Sequence, residues 1–167
     1  MRKEKINDKG FSLVELIIVI AIMALLVVVL APQYLKYVER ARNAMDLQNA
    51  TTIVNAIQIY AADPQADPPI TAVDTNGQKI TINAEGTASE VSSNNATLIA
   101  ALKNAGIDIN NMHCVSKTAW TSYEITVNVS ADGNVSFAYQ SSGGAAAEAF
   151  ADMMAGAGNN DGVEENP

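Results

Sequence analysis

Cysteine, histidine and basic side chains are scarce in this chain. One Cys and one His in 167 residues leave no partner for an intrachain disulfide and cannot fill the usual zinc ligand sets unless carboxylates complete them. The two are neighbours, His113 and Cys114. In a strand their side chains point to opposite faces, which disfavours a nucleophile and base pair and suits a core thiol beside a surface imidazole. Beyond Arg42 only Lys79, Lys103 and Lys117 are basic, and the net charge is −8. This argues against a broad basic surface for gripping phosphates while leaving room for a local basic patch, and no nucleic acid partner is expected for the chain alone. Aromatics make up 5% of the residues, so the single Trp120 reads as a core or edge aromatic, because a base-stacking platform needs companions. Asp74-Thr75-Asn76-Gly77 offers the oxygen ligands that calcium prefers but lacks the spacing of an EF-hand loop, and Asp132 with Asn134 is an equally weak pair. No catalytic residue, cofactor or metal is expected.

What the chain has in abundance is one apolar run. From Phe11 to Ala31, 21 residues, only Ser12 and Glu15 are polar, and about 20 apolar residues suffice to cross a bilayer core as a helix. Ahead of it, Met1 to Gly10 carries Arg2, Lys3, Lys5 and Lys9 against Glu4 and Asp8, a basic leader that the positive-inside tendency keeps in the cytoplasm. From Phe11 onward, 16 acidic residues face 6 basic ones. Glu15, five residues into the run, is costly there: roughly 2.5 to 3.5 kcal/mol for a carboxylate at a helix centre, less near the interface. A cleaved secretory signal fits poorly, since its apolar region is about 7 to 15 residues long. The one small-residue site, Val29-Leu30-Ala31, also precedes Pro32.

Lys9-Gly10-Phe11-Ser12-Leu13-Val14-Glu15, preceded by a basic leader and followed by an apolar helix, resembles the class III signal of type IV pilins and pseudopilins. The resemblance is close from Lys9 to about Pro32 and architectural beyond. It implies that a membrane-embedded prepilin peptidase cuts between Gly10 and Phe11 and methylates the new amine of Phe11. It also implies that Glu15 meets the Phe11 amine of a neighbouring subunit during assembly on a membrane platform. Electrostatics supports that pairing, because a lone charge in an apolar bundle is far worse than a paired one. The implied product is a helical homopolymer, a type IV pilus, or the shorter pseudopilus of a secretion or DNA-uptake machine. The precursor would sit in the cytoplasmic membrane and the assembled pilus outside the cell. A tethered binding module with an uncleaved helix is the reading of a different class. The lone cysteine departs from the disulfide-closed loop of many Gram-negative pilins.

Pro32 removes one helical hydrogen bond and predicts a kink or a stop at the membrane exit. Continuation is favoured because Tyr37, Ala41, Ala44, Leu47, Ala50, Val54, Ile57 and Ala61 recur at spacings of three and four, flanked by Ile53 and Tyr60. Lys36, Arg40 and Arg42 open this amphipathic stretch and suit an anionic lipid surface, acidic neighbours or plain solvation. Asp63-Pro64 ends it. Ile70 to Val73 and Lys79 to Asn83 read as short strands, Gly86 to Asn95 as loop, and Ala96 to Ala105 as a helix capped by Asn94 or Asn95, with Leu98, Ile99 and Leu102 facing inward. Tyr123, Ile125, Val127 and Val129 alternate with polar residues; after Asp132-Gly133 the pattern resumes at Val135, Phe137 and Tyr139. A strand at Met112 to Thr118 would make a three-stranded meander. Ala145 to Ala155 can form a small helix carrying Phe150, Met153 and Met154, before a glycine-rich acidic end. The expected fold is α+β and type IV pilin-like. Its parts are leader 1–10, membrane and filament-core helix 11–31, amphipathic helix 32–62, α/β loop and antiparallel sheet 63–140, and flexible acidic tail 141–167.

Overall fold

The computed structural model describes residues 11–71, 75–142 and 144–158. The chain divides into two units, Met1–Val38 and Glu39–Pro167. Helix α1, Leu13–Ala62, contributes to both. In the first unit its apolar side chains from Leu13 to Leu30 are exposed. Pro32 lies inside the helix, so the chain continues through it although the ring lacks the N–H that would bond back one turn.

The second unit is built on a four-stranded antiparallel sheet. Its strands are β1 (Gln78–Ile82), β2 (Glu90–Val91), β3 (Tyr123–Val129) and β4 (Val135–Ser141), in the order β2-β1-β3-β4. Period-two alternation is complete in β3: Tyr123, Ile125, Val127 and Val129 are buried and the residues between them half-exposed. Ile80 sits opposite Ile125 and Ile82 opposite Tyr123. These side chains form one core cluster with Ala50, Ile53, Val54, Ile57 and Tyr60 of α1. The β3–β4 hairpin closes where Gly133 N–H donates to Ser130 at 2.9 Å, with Gly133 at a φ of 81° that favours glycine.

Helix α2, Ala96–Asn104, starts as expected. Asn95 Oδ1 accepts from Leu98 N–H at 3.0 Å. It ends in a Schellman pattern, with Ile107 N–H on the Leu102 carbonyl and Gly106 N–H on that of Lys103. Leu98 and Leu102 are buried, but Ile99 is exposed and Ala101 takes its place inside. Helix α3, Gly144–Gly158, covers the stretch expected at 145–155. Its Phe150 is fully buried, stacked on Tyr123 at 4.9 Å and edge-on to Trp120 at 5.2 Å. Met154 is buried and Met153 exposed. Residues 159–167 of the expected tail lie outside the described residues.

Several expectations are corrected. Ile70 and Thr71 are not strand, and Thr75 N–H closes back on the Thr71 carbonyl at 3.0 Å, a helical spacing. Residues 72–74, which include the rest of that expected strand and Asp74, lie outside the described residues. The expected loop at 86–95 contains the short β2 and a 3₁₀ turn at Ser92–Asn94. No strand forms at 112–118. There only an isolated bridge joins Cys114 to Ala84, and the neighbour of β3 is β1. The inward stripe of α1 is also rotated from the expected one. Ala41, Ala44 and Ala61 are exposed, whereas Asp46, Ile53, Ala56, Ile57 and Tyr60 are inside with Ala50 and Val54. Alanines bury little area, so the larger side chains set the face.

Phe150→Ala should destabilise the second unit by about 3 to 5 kcal/mol, read as a shift in urea unfolding of the detergent-solubilised chain followed by the single Trp120. Met153→Ala on the same helix should stay within about 0.5 kcal/mol of the parent.

Candidate functional site

Two groups of polar residues on α1 are built with unusual care. One is at the helix start. Ser12 precedes the first helical residue, and its Oγ accepts from Val14 N–H at 3.3 Å. Glu15 reaches back, and its Oε2 accepts from Ser12 N–H at 2.9 Å. Ser-x-x-Glu with these bonds is a capping box, which satisfies helix N–H groups that otherwise lack partners. The sequence reading treated Glu15 only as a charge awaiting a cation. The same residues carry the capping-box spacing, a signal that was there to be read. The negative charge also lies at the positive end of the helix macrodipole, which lowers its cost in apolar surroundings.

Phe11 is 82% exposed. Its predicted scissile neighbour Gly10 lies outside the described residues. Downstream, the 50-residue helix contains an 18-residue window of mean hydropathy 3.3, none of it buried. Among the described residues α1 is one helix long and apolar enough to cross a membrane.

The second group is a pair of carboxylates seven residues apart, hence on one face. Asp46 is 0% exposed, and the four groups that bond its carboxylate here are neutral donors. Its Oδ1 accepts from Val115 N–H at 2.8 Å. Its Oδ2 accepts from Ser116 N–H at 2.9 Å, the Trp120 indole N–H at 2.9 Å and the Cys114 thiol at 3.2 Å. Glu39 Oε1 accepts from the Ser116 hydroxyl and from the N–H groups of Lys117, Thr118 and Ala119 at 2.7 to 3.3 Å. Its Oε2 meets Arg42 at 3.4 Å.

This pair explains the missing strand. The backbone donors of 115–119 point at two carboxylates and so are not offered to a ladder. Burial acts to raise the pKa of Glu39, but the donors from Thr118, Lys117, Ser116 and Ala119 outweigh it and hold the carboxyl well below the usual range. Burial, with the Asp46 carboxylate alongside, pushes the Cys114 thiol up to about 12. Such a thiol stays protonated and makes a poor nucleophile. His113 is exposed while Cys114 is buried, the arrangement expected from their adjacency. Asp132 and Asn134 lie in the β3–β4 turn, where Asn134 N–H donates to Ser130 Oγ at 3.1 Å.

Sequence reasoning missed both carboxylates. The signal was the row Glu39, Asp46, Ile53, Tyr60, spaced by seven, whose apolar half marks the inward face.

Asp46→Asn turns an amide N–H₂ toward at least one donor, and should cost about 3 kcal/mol or more, read by Trp120 fluorescence in urea. Glu39 has its pKa lowered on folding. Its contribution is therefore complete above the ordinary value of 4.5 and is lost as pH falls below that toward the folded value. Stability of the parent should decline with acidification in that window, and Glu39→Gln should flatten this part of the pH profile while lowering stability at pH 7.

With this geometry in hand, three comparisons bear on identity. Residues 5–31 match the family model described as the prokaryotic N-terminal methylation motif. The chain is 33% identical over 70 residues to a Clostridium perfringens protein named prepilin peptidase-dependent protein A. That match covers 41% of this chain and 50% of the relative, so the chain spans about half the length of the curated relative it matches. No solved structure gives a significant match. The chain carries a type IV prepilin signal, the N-terminal methylation motif, at residues 5–31, ahead of a type IV pilin-like α+β arrangement of long apolar helix and small antiparallel sheet.

Proposed function

We propose that this chain is the precursor of a structural subunit of a type IV pilus. In this reading a prepilin peptidase and N-methyltransferase cuts between Gly10 and Phe11 and methylates Phe11. The apolar helix holds the subunit in the cytoplasmic membrane with its leader inside. An assembly platform then extracts it into an extracellular helical homopolymer. The observation that carries the reading is the combination at the helix start: a methylation motif whose Glu15 sits in an otherwise apolar and exposed stretch of helix, from Leu13 to Leu30. That helix needs an apolar partner, first lipid and then copies of itself.

Glu15 has two tasks in this scheme. Its Oε2 caps the helix within one chain through Ser12; its Oε1 receives the amine of Phe11 from a neighbour. The pairing replaces a lone charge in the filament core by a hydrogen-bonded ion pair. Pro32 supplies a kink where the helix leaves the core. The match to a prepilin peptidase-dependent protein supports the processing step.

Intact mass and N-terminal sequence of material sheared from the cell surface test the reading. A chain beginning at methylated Phe11 in long filaments is the expected result. A processed chain confined to the envelope would instead indicate a pseudopilus, and an intact Met1 start would indicate a tethered module. Glu15→Gln separates the two tasks, because glutamine also serves in a capping box but carries no charge. The variant should insert and be processed as the parent is, with filament yield reduced at least about tenfold, roughly the loss of 1.4 kcal/mol at each docking step. Yield at the parental level would reduce Glu15 to a cap.

A further inference from the structure

Copies of an acidic protein repel one another unless their surfaces offer somewhere for the negative charge to go. From Glu39 to Pro167 the chain has fifteen acidic and five basic residues. Of those five, Lys79 is taken by Glu124 at 2.9 Å, and Lys103 stands in the last turn of α2. Arg42 and Lys117 meet in one place. Together with His113, the single histidine of the chain, they line an open cleft of about 510 Å³.

The cleft is a fixed structure. One wall is the segment 113–117, whose backbone is anchored by Asp46 and Glu39. Glu39 has given its Oε1 to four donors of that segment, and its tie to Arg42 is long, at 3.4 Å. The guanidinium is thus only partly compensated. Lys117 and His113 are exposed, and Glu85 is the one carboxylate besides. Three cationic or N–H-donating side chains around a cleft in a strongly acidic unit make a seat for an anion.

We propose that the cleft lined by Arg42, His113 and Lys117 receives a carboxylate-bearing segment of a second copy of this chain. The inference rests on the filament reading above and adds where its acidic units touch. Charge complementarity selects the occupant: the exposed carboxylates among the fifteen of each copy are the anions brought closest in a homopolymer, and a matching patch fixes register while suppressing wrong approaches.

Zero-length carbodiimide coupling tests it on filaments from cells shifted from ordinary to ¹⁵N medium, whose membrane pool holds both kinds of subunit. The expected product is an amide between Lys117 Nζ and an Asp or Glu side chain, with mixed isotopic labels that prove two copies. In parallel, the double variant His113→Gln, Lys117→Gln keeps every backbone bond to Glu39. It should fold as the parent does by Trp120 fluorescence, yet give at least about fivefold fewer filaments at low salt, with the gap to the parent narrowing in high salt as the parent's contact is screened. Lys117→Arg should restore the yield. Cross-links from Lys117 confined to its own chain, or a double variant that assembles at the parental level, would overturn the seat and leave the filament reading standing. So would a double variant that polymerises normally but no longer retains duplex DNA, since the anion would then be phosphate. Absence of any polymer from the parent chain would overturn both.

Discussion

A carboxylate taken out of water must find donors, and the second unit is arranged around two, Asp46 and Glu39, that do. Asp46 is the more demanding, being wholly buried and bonded by backbone, indole and thiol donors. Those donors all come from one segment about 70 residues away in sequence, so the bonds also fix where that segment lies against the helix. Hydrogen bonds to an ionised acceptor are among the strong ones, and an unmet carboxylate at that position would be expensive. The route of residues 114–120, the absence of a strand there and the burial of Trp120 beneath Phe150 all follow from meeting that demand.

Glu39 solves the same problem at a half-buried position, and the exposed Glu15 is held in a similar way. Glu39 gathers a turn of backbone N–H groups, and Glu15 uses the N–H at the start of its own helix. In each case main-chain N–H groups donate, beside the Ser116 hydroxyl and Arg42 at Glu39, and the fold already holds the geometry of the main chain rigid. Ordering a flexible lysine would cost side-chain entropy that a peptide N–H does not. This suits a chain with so few basic residues.

Much of this architecture was legible in the sequence because its signals are periodic. The apolar run, the alternation in β3 and β4, the Asn95 cap and the helix around Phe150 depend on spacing within a few residues of one another. What escaped was long-range. The segment at Met112 to Thr118 looks like a strand by local propensity and becomes a collar of donors only once Glu39 and Asp46 are opposite it. The alanines at 41, 44 and 61 fit a helical stripe as well as Ile53 and Tyr60 do, and only side-chain size separates the two faces. The capping box at Ser12 and Glu15 was local, and was passed over because the membrane argument gave Glu15 another purpose.

The position of that cap has a consequence for maturation. Its outermost hydrogen-bonding group is the N–H of Ser12, and the peptide bond joining Phe11 to Ser12 is the one that supplies it. The proposed cut on the other side of Phe11 would therefore remove the leader without touching either hydrogen bond of the helix start. Under that proposal the helix start would be indifferent to processing, while the electrical character of its tip would change from a neutral amide to an amine. Phe11 is the spacer that lets one chain be rewritten at its end without being refolded.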